Sequence, residues 1–186
     1  MDSVGWWYRN ADGTYPMSTS MVIDGRTYRF DGRGYMRTGW VMDGGAWYYH
    51  DASGAQLTGW QMVRGSWYYL GDNGLMRTGW VMVDGVWYYL HGSGAMATGW
   101  VNLGGSWFYL TPETGAMVTG WQMVGDKWFF FASNGVMTTG WLYTGGAWYY
   151  LDPSGAMHTG WLQMGSHWYL MSDSGAMMIG WVPLGS

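Results

Sequence analysis

The dipeptide Gly-Trp recurs through almost the whole chain, placing Trp40, Trp60, Trp80, Trp100, Trp121, Trp141, Trp161 and Trp181 at intervals of 20 residues with one step of 21. A fixed period of that length means one small unit repeated, and a unit so small can bury its apolar face only by stacking on its neighbours. The extra residue of the longer step falls in Leu110-Thr111-Pro112-Glu113-Thr114-Gly115, a turn, where a stack tolerates an insertion. Two further columns keep the register. A second tryptophan follows the first by seven residues, at Trp47, Trp67, Trp87, Trp107, Trp128, Trp148 and Trp168. A methionine precedes the Gly-Trp tryptophan by four, at Met36, Met76, Met96, Met117, Met137, Met157 and Met177, with Gln56 as the exception.

Each unit reads as a β-hairpin. Trp80-Val81-Met82-Val83 and Trp87-Tyr88-Tyr89-Leu90 are short β-branched and aromatic runs, and Asp84-Gly85 between them is a strong hairpin-turn signal. Gly44-Gly45, Arg64-Gly65, Gly104-Gly105, Gly125-Asp126, Gly145-Gly146 and Gly165-Ser166 hold the same place in other units, and no segment has helical periodicity. Strand side chains alternate, so the second tryptophan and the residue two further on share a face, while the tyrosine between them looks the other way. One aromatic face can line the core, filled by that intervening Tyr and by Leu; the other is left for a groove between hairpins. The expected architecture is therefore all-β, a solenoid of stacked β-hairpins. It comprises a lead-in over residues 1–18, a degenerate capping hairpin over 19–38, seven tandem repeats over 39–179, and a half-repeat and tail over 180–186. The capping reading rests on Met21 and Tyr28, taken to stand where the two tryptophans belong, and on Gln56 in the same set.

Composition shows what the rings replace and which classes fall away. There are 17 Trp, 15 Tyr and 5 Phe beside two isoleucines, a surplus of aromatics with little charge that excludes a disordered chain. A net charge of −4, with seven Arg and one Lys in no run, argues against nucleic acid and against a membrane surface. Apolar stretches stop far short of the roughly 18 residues a membrane span needs, so no membrane insertion is expected, and no signal peptide is visible. His50, His91, His158 and His167 share no repeat position and are expected to be exposed rather than metal ligands. Asp43, Asp84, Asp126 and Asp152 fall in turns, where aspartate bonds locally. Neither a catalytic site, a metal nor a cofactor is expected.

Taken together, Thr-Gly-Trp, six residues, Trp-Tyr-Tyr-Leu, a Gly turn and Gly-Ala-Met resemble the choline-binding (cell-wall-binding) repeat of streptococcal surface proteins, autolysins and phage lysins. Gly5-Trp6-Trp7-Tyr8 and Asp12-Gly13-Thr14-Tyr15-Pro16 are similar to the lead-in of such modules. The resemblance implies a left-handed superhelix on an extracellular bacterial surface, holding choline or phosphocholine of teichoic acid between consecutive hairpins. Carried over by position, it implies sites at Trp40, Trp47, Tyr69 and Met76; at Trp60, Trp67, Tyr89 and Met96; and at Trp80, Trp87, Tyr109 and Met117. Trp100, Trp107 and Met137 follow with Phe130 in the tyrosine position, then Trp121, Trp128, Tyr150 and Met157. Trp141, Trp148 and Met177 have Leu170 there, which gives that site no third ring. The choice of the second Tyr of each pair follows face alternation and the family pattern, with the first Tyr as the alternative. Trp161 and Trp168 form a half-site that is either empty or completed by a second molecule, which leaves a homodimer through the C-terminal hairpin open. Met42, Met62, Met82 and Met123 stand where the family commonly has lysine, making the groove rim more apolar.

The chemistry of such a site stands apart from the resemblance. A trimethylammonium group is charged but has no hydrogen to donate, so aromatic faces attract it where carboxylates gain no hydrogen bond. A polarizable methionine suits its methyls. The alternative is a carbohydrate-binding module like the glucan-binding repeats, which would call for polar side chains beside the rings; a purely structural or assembly solenoid is the third reading.

Overall fold

The computed structural model describes residues 5–180. It contains eight antiparallel hairpins of five-residue strands, each a separate two-stranded sheet. They are β1 (Thr19–Ile23) with β2 (Arg26–Phe30), β3 (Gly39–Asp43) with β4 (Ala46–His50), β5 (Gly59–Val63) with β6 (Ser66–Leu70), and β7 (Gly79–Val83) with β8 (Val86–Leu90). Then follow β9 (Gly99–Leu103) with β10 (Ser106–Leu110), β11 (Gly120–Val124) with β12 (Lys127–Phe131), β13 (Gly140–Thr144) with β14 (Ala147–Leu151), and β15 (Gly160–Met164) with β16 (His167–Met171). The chain divides into two units, residues 1–97 holding β1–β8 and residues 98–186 holding β9–β16. Trp181 lies outside the described residues. Among the described residues no helix is long and apolar enough to cross a membrane.

The two-residue turns fix the register. Gly44 and Gly45 both have positive φ, 58° and 80°, the demand of a type I′ turn whose twist matches the flanking strands. Trp40 then lies opposite Tyr49, Val41 opposite Tyr48 and Met42 opposite Trp47. Opposed residues share a face, so Trp40, Met42, Trp47 and Tyr49 occupy one side of the hairpin, and Val41 and Tyr48 the other.

Beyond the second strand a tight turn is held by its aspartate: Asp51 Oδ1 accepts from the backbone N–H of Ser53 and Ala55. The connector that follows stitches two hairpins. The N–H of Arg77 donates to Tyr69 of its own hairpin and that of Met76 to Trp47 of the preceding one, both at 2.9 Å. Side-chain burial supplies the rest. The last residue of the second strand is wholly buried at Leu70 and Leu90 in the first unit and at Leu110, Phe131 and Leu151 in the second. Each such side chain contributes about 1.5–3 kcal/mol. The expected sharing of the core with the intervening aromatic holds at Phe108 and Phe129, both buried, with Phe129 packed in one cluster with Phe131, whereas Tyr48, Tyr68 and Tyr88 are half-buried.

The first hairpin also corrects a reading. Ser20 lies opposite Arg29, Met21 opposite Tyr28 and Val22 opposite Thr27. The N–H of Gln56 donates to Thr27, as that of Met76 donates to Trp47. Ser20 and Thr27, rather than Met21 and Tyr28, therefore occupy the tryptophan columns. The physical reason is the Asp24-Gly25 turn: both residues have positive φ, 50° and 77°, and a two-residue turn leaves no freedom to slip by one. The lead-in behaves as the second half of a hairpin, with Trp6 accepting from the N–H of Met36 at 2.7 Å.

Candidate functional site

The inter-hairpin space is walled by tryptophans set edge to face. Trp40 and Trp47 have ring centres 6.3 Å apart at 87°, and Tyr68 of the next hairpin meets Trp40 at 4.8 Å and 66°. Met76 arrives from the connector after that hairpin, placed by its bond to Trp47. Trp60 and Trp67 repeat the arrangement at 6.4 Å and 88°, with Tyr88 at 4.8 Å and with the N–H of Met96 bonded to Trp67.

The second unit holds three more. Trp100 and Trp107 stand 6.2 Å apart with Phe129 4.9 Å from Trp100, and the Met137 N–H donates to Trp107. Trp121, Trp128, Tyr149 and Met157 line a pocket of about 260 Å³ with Ser174 at its edge. Trp141, Trp148, Tyr169 and Met177 line another of about 300 Å³. Neither pocket has a carboxylate in its lining.

Of the two tyrosines weighed for each site, the geometry brings the first, the alternative, to the tryptophan of the preceding hairpin. Tyr69, Tyr89, Tyr109, Phe130 and Tyr150 pack against Trp60, Trp80, Trp100, Trp121 and Trp141 of their own hairpins, at 5.1 to 5.3 Å. The third walls are Tyr68, Tyr88, Phe129, Tyr149 and Tyr169. Face alternation itself gives the reason. The tryptophan face of one hairpin meets the opposite face of the next, so the neighbour must supply the residue that points away from its own tryptophans. Leu170 consequently has no bearing on the last set, because Tyr169 stands there 5.0 Å from Trp141. Of the third predicted set, Trp80 and Trp87 belong to the first unit, 6.4 Å apart, and Tyr109 and Met117 to the second. Trp161 and Trp168 lie 6.3 Å apart at 84° and are both exposed.

The slot between the first two hairpins holds the protein's own cation. Arg29 stands in the column of Tyr49, only 8 % exposed, with its guanidinium carbon 3.5 Å from the centre of the Tyr48 ring. It donates to Asp43 Oδ2 at 2.9 Å, to His50 Nε2 at 3.2 Å and to Gln56 Oε1. Gln56, in the methionine column, gives its amide to the Asn73 carbonyl at 3.0 Å. His50 is buried, 1 % exposed, contrary to the expectation of an exposed residue. Its Nδ1 faces the Gly54 carbonyl at 2.8 Å, which can only accept, so Nδ1 carries the proton and Nε2 accepts from Arg29. Burial foremost, and the Arg29 charge besides, hold this imidazole below its ordinary pKa, so that it stays neutral. Sequence reading found Gln56 but missed the set. The signal was a coincidence of three columns: Arg for Tyr, His for Leu and Gln for Met in neighbouring units.

The repeated hairpin with its aromatic inter-hairpin walls defines a module of tandem β-hairpin repeats. A choline-binding repeat model matches residues 18–58, 57–99, 78–119 and 118–160, and a cell wall binding repeat model matches 159–177. The chain belongs to the choline-binding repeat family. It is similar to the structure of CbpJ from Streptococcus pneumoniae, with a TM-score of 0.79 and 41 % identity, covering 82 % of this chain and 56 % of that one. Choline binding protein F from the same organism, crystallised in the presence of a peptidoglycan analogue, gives 0.76 and 43 %, with coverages of 82 % and 56 %. The choline-binding domain of CbpL from Streptococcus pneumoniae gives 0.63 and 28 %, with coverages of 87 % and 86 %. This chain thus spans a little over half the length of CbpJ and choline binding protein F. No curated protein sequence matches it.

Proposed function

We propose that this module is non-catalytic and tethers a protein to the bacterial surface by holding choline of teichoic acid in its aromatic slots. The observation that carries this reading is the lining of the pocket at Trp141, Trp148, Tyr169 and Met177, three rings and a thioether. Such a lining attracts a cation through ring quadrupoles and accommodates methyls, yet offers a sugar few partners for its hydroxyls. Each slot is open on one side, and repetition along a repeating polymer raises retention through effective concentration.

Titration with choline and with an α-glucan, followed by tryptophan fluorescence, tests the reading. A response to choline alone, with elution of the protein from a quaternary-amine resin by free choline, is expected. A response to glucan alone overturns it in favour of a carbohydrate module, and a response to neither favours a structural solenoid.

A further inference from the structure

Arg77 follows the slot methionine Met76, and its side chain folds back over the turn of its own hairpin. Its Nε and Nη2 lie 2.8 and 2.9 Å from where a β-carbon on Gly71 would stand. Gly71 is outside the left-handed region, so the backbone does not demand glycine there. Other units carry Asp31, Asp51 or Asp152 at that position, each accepting the N–H groups of its turn. At Gly71 this cap is given up, and Asn73 Oδ1 accepts only the Leu75 N–H, at 3.1 Å. What glycine gains is room for the guanidinium, while the carboxylate of the next residue, Asp72, remains in the lining of the same crevice.

The equivalent Arg37 side chain is likewise without a hydrogen bond or ion pair among the described residues, and differs in having a carboxylate at the turn position. It stands near Asp31, whose carboxyl is held below its usual range by the Tyr35 and Arg33 N–H groups and by the charges of Arg37 and Arg33. Among the described residues, no hydrogen bond or ion pair engages the Arg77 side chain. It opens on a crevice of about 280 Å³ whose other walls include Tyr69, Asp72, Thr78, Trp80 and Met82. An unpaired planar fork of donors matches the oxygens of a phosphate. Asp72 and Thr78 can bond hydroxyls, and the ring faces suit the C–H face of a sugar. The crevice lies beside an aromatic slot, since its wall residue Tyr69 packs 5.1 Å from the slot residue Trp60.

We propose that the Arg77 crevice is a second kind of ligand site, for the phosphate of a phosphorylated sugar or polyol. The wall polymer would then be held by its backbone as well as by its choline. That placement on a wall polymer rests on the choline reading, whereas the anion chemistry of the crevice does not.

The test follows the Arg77 Nε–H and Trp80 indole N–H signals by NMR in the full chain, titrated with glucose 6-phosphate, glucose, inorganic phosphate and choline. Glucose 6-phosphate at millimolar concentration should shift both signals, and glucose should shift neither. Gly71→Ala, which the backbone accepts, should weaken this binding about tenfold by displacing the guanidinium, and Arg77→Gln should abolish it. Both variants should keep the choline response of Trp40 and Trp47. No shift with glucose 6-phosphate, or an unchanged affinity in Gly71→Ala and Arg77→Gln, overturns the site. Equal affinity for inorganic phosphate overturns its sugar component. A phosphate response without any choline response sinks the choline reading and leaves this site standing.

Discussion

The sulfur of Met76 fills the space that a β-carbon on Gly94 would need. Gly94 belongs to the turn of the following unit and has φ of +85°, so glycine is required there by both conformation and room. The same contact recurs between Met36 and Gly54, Met137 and Gly155, and Met157 and Gly175. The slot methionines Met76, Met137 and Met157 are thus seated on the next turn, which locks a flexible side chain where it can floor a ligand site.

Gly94→Ala should therefore cost about 2–3 kcal/mol, combining left-handed strain of about 1–2 kcal/mol with displacement of Met76. Gly79→Ala is the control. Its φ is +74°, but nothing lies within 4 Å of a β-carbon there, so only the conformational part remains. Urea unfolding of both variants measures the difference, and choline titration should show Gly94→Ala weakening the Trp40 slot while Gly79→Ala leaves it intact. Equal costs would mean that Met76 simply moves aside.

The two tyrosines of a pair should separate by function. Tyr68→Ala removes the wall 4.8 Å from Trp40 and should delete one choline equivalent in calorimetric stoichiometry, with the remaining sites unchanged. Tyr69 lies against Trp60 on its own hairpin, so Tyr69→Ala should lower stability by about 1–3 kcal/mol and keep the stoichiometry. The reverse pattern would restore the sequence-based assignment.

That assignment shows where the sequence is legible. Period, turns and tryptophan pairing follow from spacing and turn chemistry, which act within a single unit. The choice between Tyr68 and Tyr69 depends on how successive units face one another, a relation that no spacing within a unit encodes. The first hairpin was legible in principle, since counting back from Asp24-Gly25 reaches Ser20 and Thr27. The Arg29 cluster was the hardest to see, because Arg29 lies 21 and 27 residues before His50 and Gln56 and each is unremarkable alone.

Removing the internal cation tests that cluster. Arg29→Ala leaves His50, Gln56 and the Tyr48 face without their shared partner, and should destabilise the chain by about 2–4 kcal/mol. Asp43→Asn loses a partner whose side chain is 55 % exposed and should cost less than about 1 kcal/mol. Urea unfolding gives both values. Wild-type protein should show no choline equivalent at this slot, because the guanidinium already covers the Tyr48 ring.

The same cluster gives the fold a pH dependence. His50 has its pKa depressed in the folded state, so below the ordinary value of 6.5 the unfolded chain takes up a proton that the folded chain resists. Stability from this group is present above about pH 6.5 and is lost as pH falls from there through the folded pKa. Protonating Nε2 would also set a charge against Arg29, in place of the lone pair that now accepts from it. The carboxyls of Asp31 and Asp51 are likewise depressed, but from 3.8, so their losses come at lower pH and leave the window between about 5 and 6.5 to His50. Urea midpoints measured across that window should fall with pH in the wild type. They should flatten in His50→Leu, which places in this column the residue found at Leu70 and Leu90. A slope that survives the substitution would assign the pH dependence to another group.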